Sequence, residues 1–186
     1  MDFLTLLKSR HSVKSFKDQD VPKEKIQSIL ESVTLCPSYR NLQSFKVLLI
    51  TDSNVKGMIE AIIPEDNRGK KGFVEAPFSV VVVADAGASE DQRENKYYMF
   101  DGAIVMYNIL LAATNEELGS CWIEVENEDE LKNALDIPKK YKVIGISPIG
   151  YAEDPTGDNG NTDLIDKKSI EEVSYENVWK NELSYF

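Results

Sequence analysis

The stretch from Ser79 to Asp85, Ser-Val-Val-Val-Val-Ala-Asp, constrains the fold more than any other part of the chain. Consecutive β-branched side chains favour extended backbone, and successive side chains of a strand point to opposite faces. An unbroken apolar run therefore predicts a strand covered on both sides, at the centre of a sheet. Tyr97 to Thr114 is apolar nearly all round and predicts a long helix through the interior. Lys46 to Thr51, Ser120 to Val125 and Tyr141 to Ile149 read as further strands, with a short helix from Glu128 to Leu135. Near the start, Phe3, Leu6 and Leu7 fall on one helical face. A second helix opens near Pro22, where a missing amide proton does no harm, carries Ile26, Ile29, Leu30 and Val33 at helical spacing, and must stop before Pro37. Glu65 to Gly72, polar and rich in Lys and Gly, reads as a loop beside a site. Strands and helices alternate irregularly, so the expected class is α+β, with a central mixed sheet flanked by helices. No repeat or boundary interrupts the chain, which predicts one domain over residues 1–186, with a Gly-, Asn- and Asp-rich segment opening a C-terminal arm at about 152–186.

The remaining composition narrows the function classes. A chain of 186 residues carrying a formal charge of −11 lacks the continuous basic surface that a nucleic-acid backbone requires. Cys36 and Cys121 stand outside any zinc-ligand spacing and suggest a reducing, cytoplasmic setting. The first residues have too short an apolar stretch for a signal peptide, and Gly102 to Ala113 is too short to span a bilayer, so no membrane partner is expected. A single histidine, His11, leaves Ser-His-Asp triads and multi-histidine metal sites short of members. Neither a Gly-rich dinucleotide fingerprint nor a phosphate-loop motif is present. With so little chemistry in its side chains, the chain calls for a cofactor that brings its own reactivity.

Arg10, Ser12 and Lys14 alternate along the chain, so in extended backbone they point to one side. Two cations and a hydroxyl suit a terminal phosphate, although such triples are also common on solvated surfaces. Lys167 and Lys168 form a second basic pair, which in other chains is usually just solvated.

Four segments, in order, resemble the FMN-dependent nitroreductase family. They are Arg10-His11-Ser12-Val13-Lys14-Ser15-Phe16; Cys36-Pro37-Ser38-Tyr39-Arg40-Asn41-Leu42-Gln43; Asp101-Gly102-Ala103 leading to Leu118-Gly119-Ser120-Cys121-Trp122-Ile123-Glu124; and Lys167-Lys168-Ser169-Ile170-Glu171-Glu172-Val173. The resemblance implies a three-layer fold and a homodimer with FMN at the interface and the C-terminal arm exchanged between subunits. It implies that Arg10, Ser12 and Lys14 grip the FMN phosphate and ribityl chain, with His11 contributing through its backbone and Lys167 or Lys168 closing from the tail. Pro37, Ser38 and Asn41, with the intervening Tyr39 and Arg40, would reach the same flavin from the other protomer. Ile123 and Glu124 would run past its reactive edge, a backbone amide near Glu124 meeting N5, and Lys71 is the candidate for its pyrimidine end. Asp101 reads as structural. The implied activity is ping-pong hydride transfer from NAD(P)H through the flavin to a nitroaromatic, quinone or similar electron-poor small molecule. A specialised branch such as a reductive dehalogenase or a flavin-fragmenting enzyme, and a flavin-binding protein with little turnover, are the alternatives. The chain departs from the family pattern at Tyr39 and Arg40, where small residues are usual, at Ser44-Phe45, at Val125 and at Lys167, where lysine keeps the charge but loses the bidentate fork of arginine.

Overall fold

The computed structural model describes residues 2–88, 96–154 and 167–184. Its elements in chain order are α1 (Phe3–Ser9), α2 (Lys23–Val33), β1 (Phe45–Ile50), α3 (Ser53–Ile62), α4 (Lys70–Glu75), β2 (Phe78–Asp85), α5 (Tyr97–Asn115), β3 (Gly119–Ser120), α6 (Glu128–Ala134), β4 (Tyr141–Gly150) and α7 (Ile170–Val173). The sheet order is β1-β2-β4-β3.

The β2 run does what its composition demands. Phe78, Val80 and Val82 enter one core with Ile29 and Val33 of α2 and Val105, Met106, Ile109 and Ala113 of α5. Val81 and Val83 enter a second core with Ile59 of α3, Phe73 of α4 and Leu131 of α6. The molecule is thus a three-layer α+β structure with helices on both faces. Every ladder in the sheet is antiparallel. The parallel component of the expected mixed sheet reduces, among the described residues, to the single bridge between Ser12 and Ser120. Apolar faces report burial and not strand direction, and here two helix layers bury an antiparallel sheet.

The strand expected over 120–125 is shortened to Gly119–Ser120, and Ile123 rejoins β4 at Ile146 in the same register. That register sets Cys121 opposite Pro148, which has no N–H to donate, so the ladder is broken there. A bulge between Val82 and Val83 in the β2–β4 pairing falls beside Gly145 (φ 157°), whose lack of a Cβ admits the Trp122 indole where that atom would stand. The indole N–H donates to the Ile144 carbonyl at 3.2 Å.

Two helices escape a reading of composition. In α3, Asp52 caps the amides of Asn54 and Val55. The segment 65–72, expected as a loop, turns at its start but becomes helical from Lys70, because Gly72 lets α4 approach the Lys14 backbone, where a Cβ would sit 3.0 Å from the carbonyl. Residues 155–166 of the expected arm lie outside the described residues. Those that follow form α7, opened by a capping box between Ser169 and Glu172, and among the described residues the tail's hydrogen bonds run within the tail itself, as between Glu176, Asn181 and Ser184.

Candidate functional site

Residues 10–17 leave α1 as an extended segment laid along one end of the sheet. The Val13 N–H donates to the Ser120 carbonyl at 2.9 Å, the Lys17 N–H to that of Tyr151 at 2.9 Å, and the Glu153 N–H to that of Ser15 at 3.1 Å. Gly119 permits this approach, since a Cβ there would stand 2.6 Å from Val13. The expected alternation holds: Val13 and Ser15 are buried, Ser12 is exposed, and Arg10 and Lys14 are half-buried. All three candidates gather round Cys121. Burial pushes its thiol up, while Lys14, the Ser12 hydroxyl and Arg10 pull it back down. His11 sets Nδ1 3.0 Å from the Ser9 carbonyl and leaves Nε2 buried without a hydrogen-bond partner among the described residues.

Two other segments reach this place. Lys71 of α4 donates to Ser15 Oγ at 3.1 Å and lies 3.5 Å from Glu75. Ser15 Oγ stands 2.9 Å from Glu75 and 2.6 Å from Glu153, and Glu75 also accepts the Phe16 N–H at 3.0 Å. One hydroxyl proton serves one carboxylate at a time, so this knot needs the Lys71 charge beside it. Sequence reading missed Ser15, Glu75 and Glu153. The alternation that turned Arg10, Ser12 and Lys14 outward was the signal for Ser15, since a serine turned inward needs partners. Ile123 is buried against Gly69 of the turn before α4, where a Cβ would stand 2.6 Å from it. Next to it, Glu124 is exposed, and its N–H finds no acceptor among the described residues.

Pro37 to Asn41 lie elsewhere. Ser38 Oγ accepts the Gln43 N–H at 3.0 Å, and the Asn41 N–H returns to the Ser38 carbonyl. Arg40, Asn41 and Gln43 all adopt positive φ, at 49°, 57° and 48°. Such backbone costs about 1 kcal/mol or more per non-glycine residue and persists where the surroundings impose it. Here the buried carboxylate of Asp101 imposes it, accepting the Tyr39 N–H at 2.8 Å and the Ser44 hydroxyl at 3.3 Å. Tyr39 stacks on Tyr97, centroids 3.8 Å apart and planes 2° from parallel.

The two groups stand at opposite ends of the sheet. Ser120 pairs with Ile149, which pairs with Phe78. Ser44 accepts the Asp85 N–H. From Phe78 to Asp85 β2 spans roughly 24 Å at a strand rise of ~3.4 Å per residue, and α5 from Asp101 to Asn115 spans roughly 21 Å at a rise of ~1.5 Å per residue. The structure therefore brings Arg10, Ser12, Lys14, Lys71 and Ile123–Glu124 together and holds Pro37, Ser38, Tyr39, Arg40 and Asn41 away from them. Lys167 and Lys168 are exposed, and no hydrogen bond or ion pair joins them to residues 10–14 among the described residues.

Comparison with known proteins agrees with this architecture. The Nitroreductase family profile matches residues 7–151. A Methanothermobacter thermautotrophicus protein provisionally named an NADH dehydrogenase/NAD(P)H nitroreductase is 28% identical over 175 residues, 91% of this chain and 86% of its own length. An iodotyrosine deiodinase of Thermotoga neapolitana is 26% identical over 171 residues, covering 81% and 88%. Among solved structures, a nitroreductase family protein from Clostridium novyi NT superposes with a TM-score of 0.78 at 28% identity, covering 98% of this chain and 97% of that one. An FMN-dependent nitroreductase from Clostridium difficile R20291 gives 0.71 at 27% identity, covering 82% and 88%. The profile spans most of the chain and includes both ends of the sheet, so the chain belongs to the nitroreductase family and is an oxidoreductase enzyme.

Proposed function

We propose that this chain is an FMN-dependent NAD(P)H oxidoreductase that works as a homodimer, each flavin held by the 10–14 segment of one chain and the 38–41 turn of the other. One observation carries the reading: the polar groups suited to a flavin are divided between opposite ends of the sheet, roughly 20 Å apart by the length of β2 and α5, so one chain offers two half-sites and two antiparallel chains offer two whole ones. The face of α5 supports the same assembly. Phe100, Ile104 and Tyr107 are exposed along one side of a helix whose opposite side is buried, and an apolar stripe of this kind is characteristic of an interface. The whole chain, 1–186, acts as one flavin-binding unit whose arm, about 152–186, crosses to the partner and brings Lys167 or Lys168 to the phosphate. Ile170, Val173, Val178 and Trp179, exposed on the described tail, fit a segment that packs on another chain.

The residues fit the cofactor in chemical kind. Arg10 and Lys14 neutralise a phosphate that Ser12 also hydrogen-bonds. The Glu124 N–H, without an acceptor among the described residues, is a donor available to a flavin ring nitrogen. Ile123 backs that edge with apolar surface, and Lys71, held by Ser15 and Glu75, puts positive charge at the pyrimidine end. When bound, the flavin supplies hydride exchange between a nicotinamide and an electron-poor acceptor such as a nitroaromatic or a quinone. The protein holds donor and acceptor in sequence against one face, and protons come from solvent. A cytoplasmic setting agrees with two buried free thiols.

Subunit mixing tests the assembly. Arg10→Ala/Lys14→Ala chains and Ser38→Ala/Asn41→Ala chains, each inactive alone, are refolded together, and FMN is titrated into the mixture. Sites shared between chains give heterodimers with one intact site, and so up to half the flavin-dependent activity among heterodimers. Sites built within one chain give none. Anaerobic bleaching of the flavin bands by NADH or NADPH tests the reductive half-reaction, and a flavin that stays oxidised points to a binding protein without turnover.

A further inference from the structure

Among the described residues Arg40 has no ion-pair partner, in a chain where acids are in excess. The sequence holds 32 Asp and Glu against 21 Lys and Arg, yet among the described residues no carboxylate lies within ion-pair distance of its guanidinium. Its guanidinium lies over the Tyr39 ring, 5.1 Å from guanidinium carbon to centroid. The support beneath it is built from several contacts. Tyr39 is stacked on Tyr97, Phe100 flanks Tyr97 at 6.2 Å, and Asp101 fixes the Tyr39 amide. The backbone of Arg40 itself is held at φ 49° and ψ 25°. A guanidinium presents five N–H donors in a planar fork. Held on an aromatic platform by a turn of unfavourable backbone geometry, that fork is pre-ordered for a ligand at little further entropic cost.

We infer that Arg40 selects among electron acceptors for aromatic anions, substrates whose ring carries a carboxylate or an acid of similar geometry. The inference rests on the reading that the 38–41 turn faces the flavin of the partner chain, and it adds the charge of the substrate to that reading. The fork pairs with both oxygens of a carboxylate, which a lysine at the same position cannot do.

The test uses flavin-saturated full-length enzyme, so that any change in FMN affinity cancels, with NADH in excess. The acceptors are 4-nitrobenzoate and its uncharged methyl ester, and the readout is the ratio of their kcat/KM values in the wild type, Arg40→Ala and Arg40→Lys. The expected result is that the acid-to-ester ratio falls about tenfold in Arg40→Ala, chiefly through the KM of the acid, and less in Arg40→Lys; added salt lowers the wild-type ratio but not that of Arg40→Ala. An unchanged ratio overturns the inference. So does a loss shared equally by both acceptors or confined to the KM of NADH, which makes Arg40 a flavin or reductant contact. A monomeric Arg40→Ala protein on size exclusion also overturns it, making Arg40 an interface residue. If the wild type takes up no FMN, flavin bands are missing before any acceptor is added; the functional reading then fails on its own evidence and the inference falls with it.

Discussion

At the Ser120 end of the sheet the chain is fastened chiefly by its own backbone, with the Ser15 side-chain knot beside it. Val13, Lys17 and Glu153 donate main-chain hydrogen bonds across the edge, and Gly72 and Gly119 let segments touch without side chains between them. At the Ser44 end main-chain bonds from Asp85 and Ala86 are joined by side chains that hold the turn itself. One buried carboxylate, Asp101, holds a turn in which three non-glycine residues have positive φ, and an ion pair between Asp85 and Lys140 at 2.6 Å closes the neighbouring strand end. The difference teaches where substitution is tolerated. A site edge held by main chain can change its side chains freely, whereas an edge held by one carboxylate depends on that residue.

The largest expected effect sharpens this contrast. Asp101→Ala leaves the Tyr39 N–H and the Ser44 hydroxyl unsatisfied in a buried setting, and should cost about 3 kcal/mol of unfolding free energy. Urea denaturation measures it, and a loss below about 1 kcal/mol would show that the turn is held by other contacts. Next, Arg10→Ala/Lys14→Ala should weaken FMN binding by about 100-fold or more, the loss of two charge-assisted contacts, while apoprotein stability moves by no more than about 0.5 kcal/mol. Fluorescence titration and urea melts of one preparation read both. A large stability loss would break the comparison, because those side chains would then be holding the fold. Gln43→Gly should stabilise by about 0.5 kcal/mol, as glycine adopts positive φ without steric cost; destabilisation would mean that the hydrogen bond from Gln43 to Asn41 outweighs the backbone term.

The smallest effect concerns pH. The hydrogen bond from Lys140, with its charge, holds the Asp85 carboxyl below its ordinary value of 3.8, outweighing the upward push of burial. A carboxyl whose folded pKa is depressed contributes stability above its unfolded pKa and loses that contribution as pH falls through the folded value. The gap in stability between the wild type and Asp85→Asn, present at pH 6, should therefore close as pH falls below 3.8.

What could be read from sequence follows the same division. β2 and α5 were legible because their composition leaves no other way to bury them, and the alternation of Arg10, Ser12 and Lys14 was legible because the segment is extended. α4 was hidden because Lys70, Lys71 and Gly72 look like loop residues, and the contact that makes them helical, Gly72 on the Lys14 backbone, joins distant parts of the chain. The break in the strand after Ser120 depends on Pro148, many residues on, and becomes visible only when the register is known. The role of Asp101 was half-visible. A carboxylate in an apolar helix must have partners, but nothing local says that they are Tyr39 and Ser44.

The main-chain fastening of residues 12–17 makes that segment a socket whose lettering can be changed. Its path is set by carbonyls and amides that every residue but proline possesses, so positions 10, 12 and 14 can carry new side chains while the frame stays in place. Carboxylates there would give a seat for a cation, and aromatic residues a seat for a neutral ring. A designer seeking a different cofactor on this scaffold would begin at those three positions and leave Gly72, Gly119 and Val13 untouched.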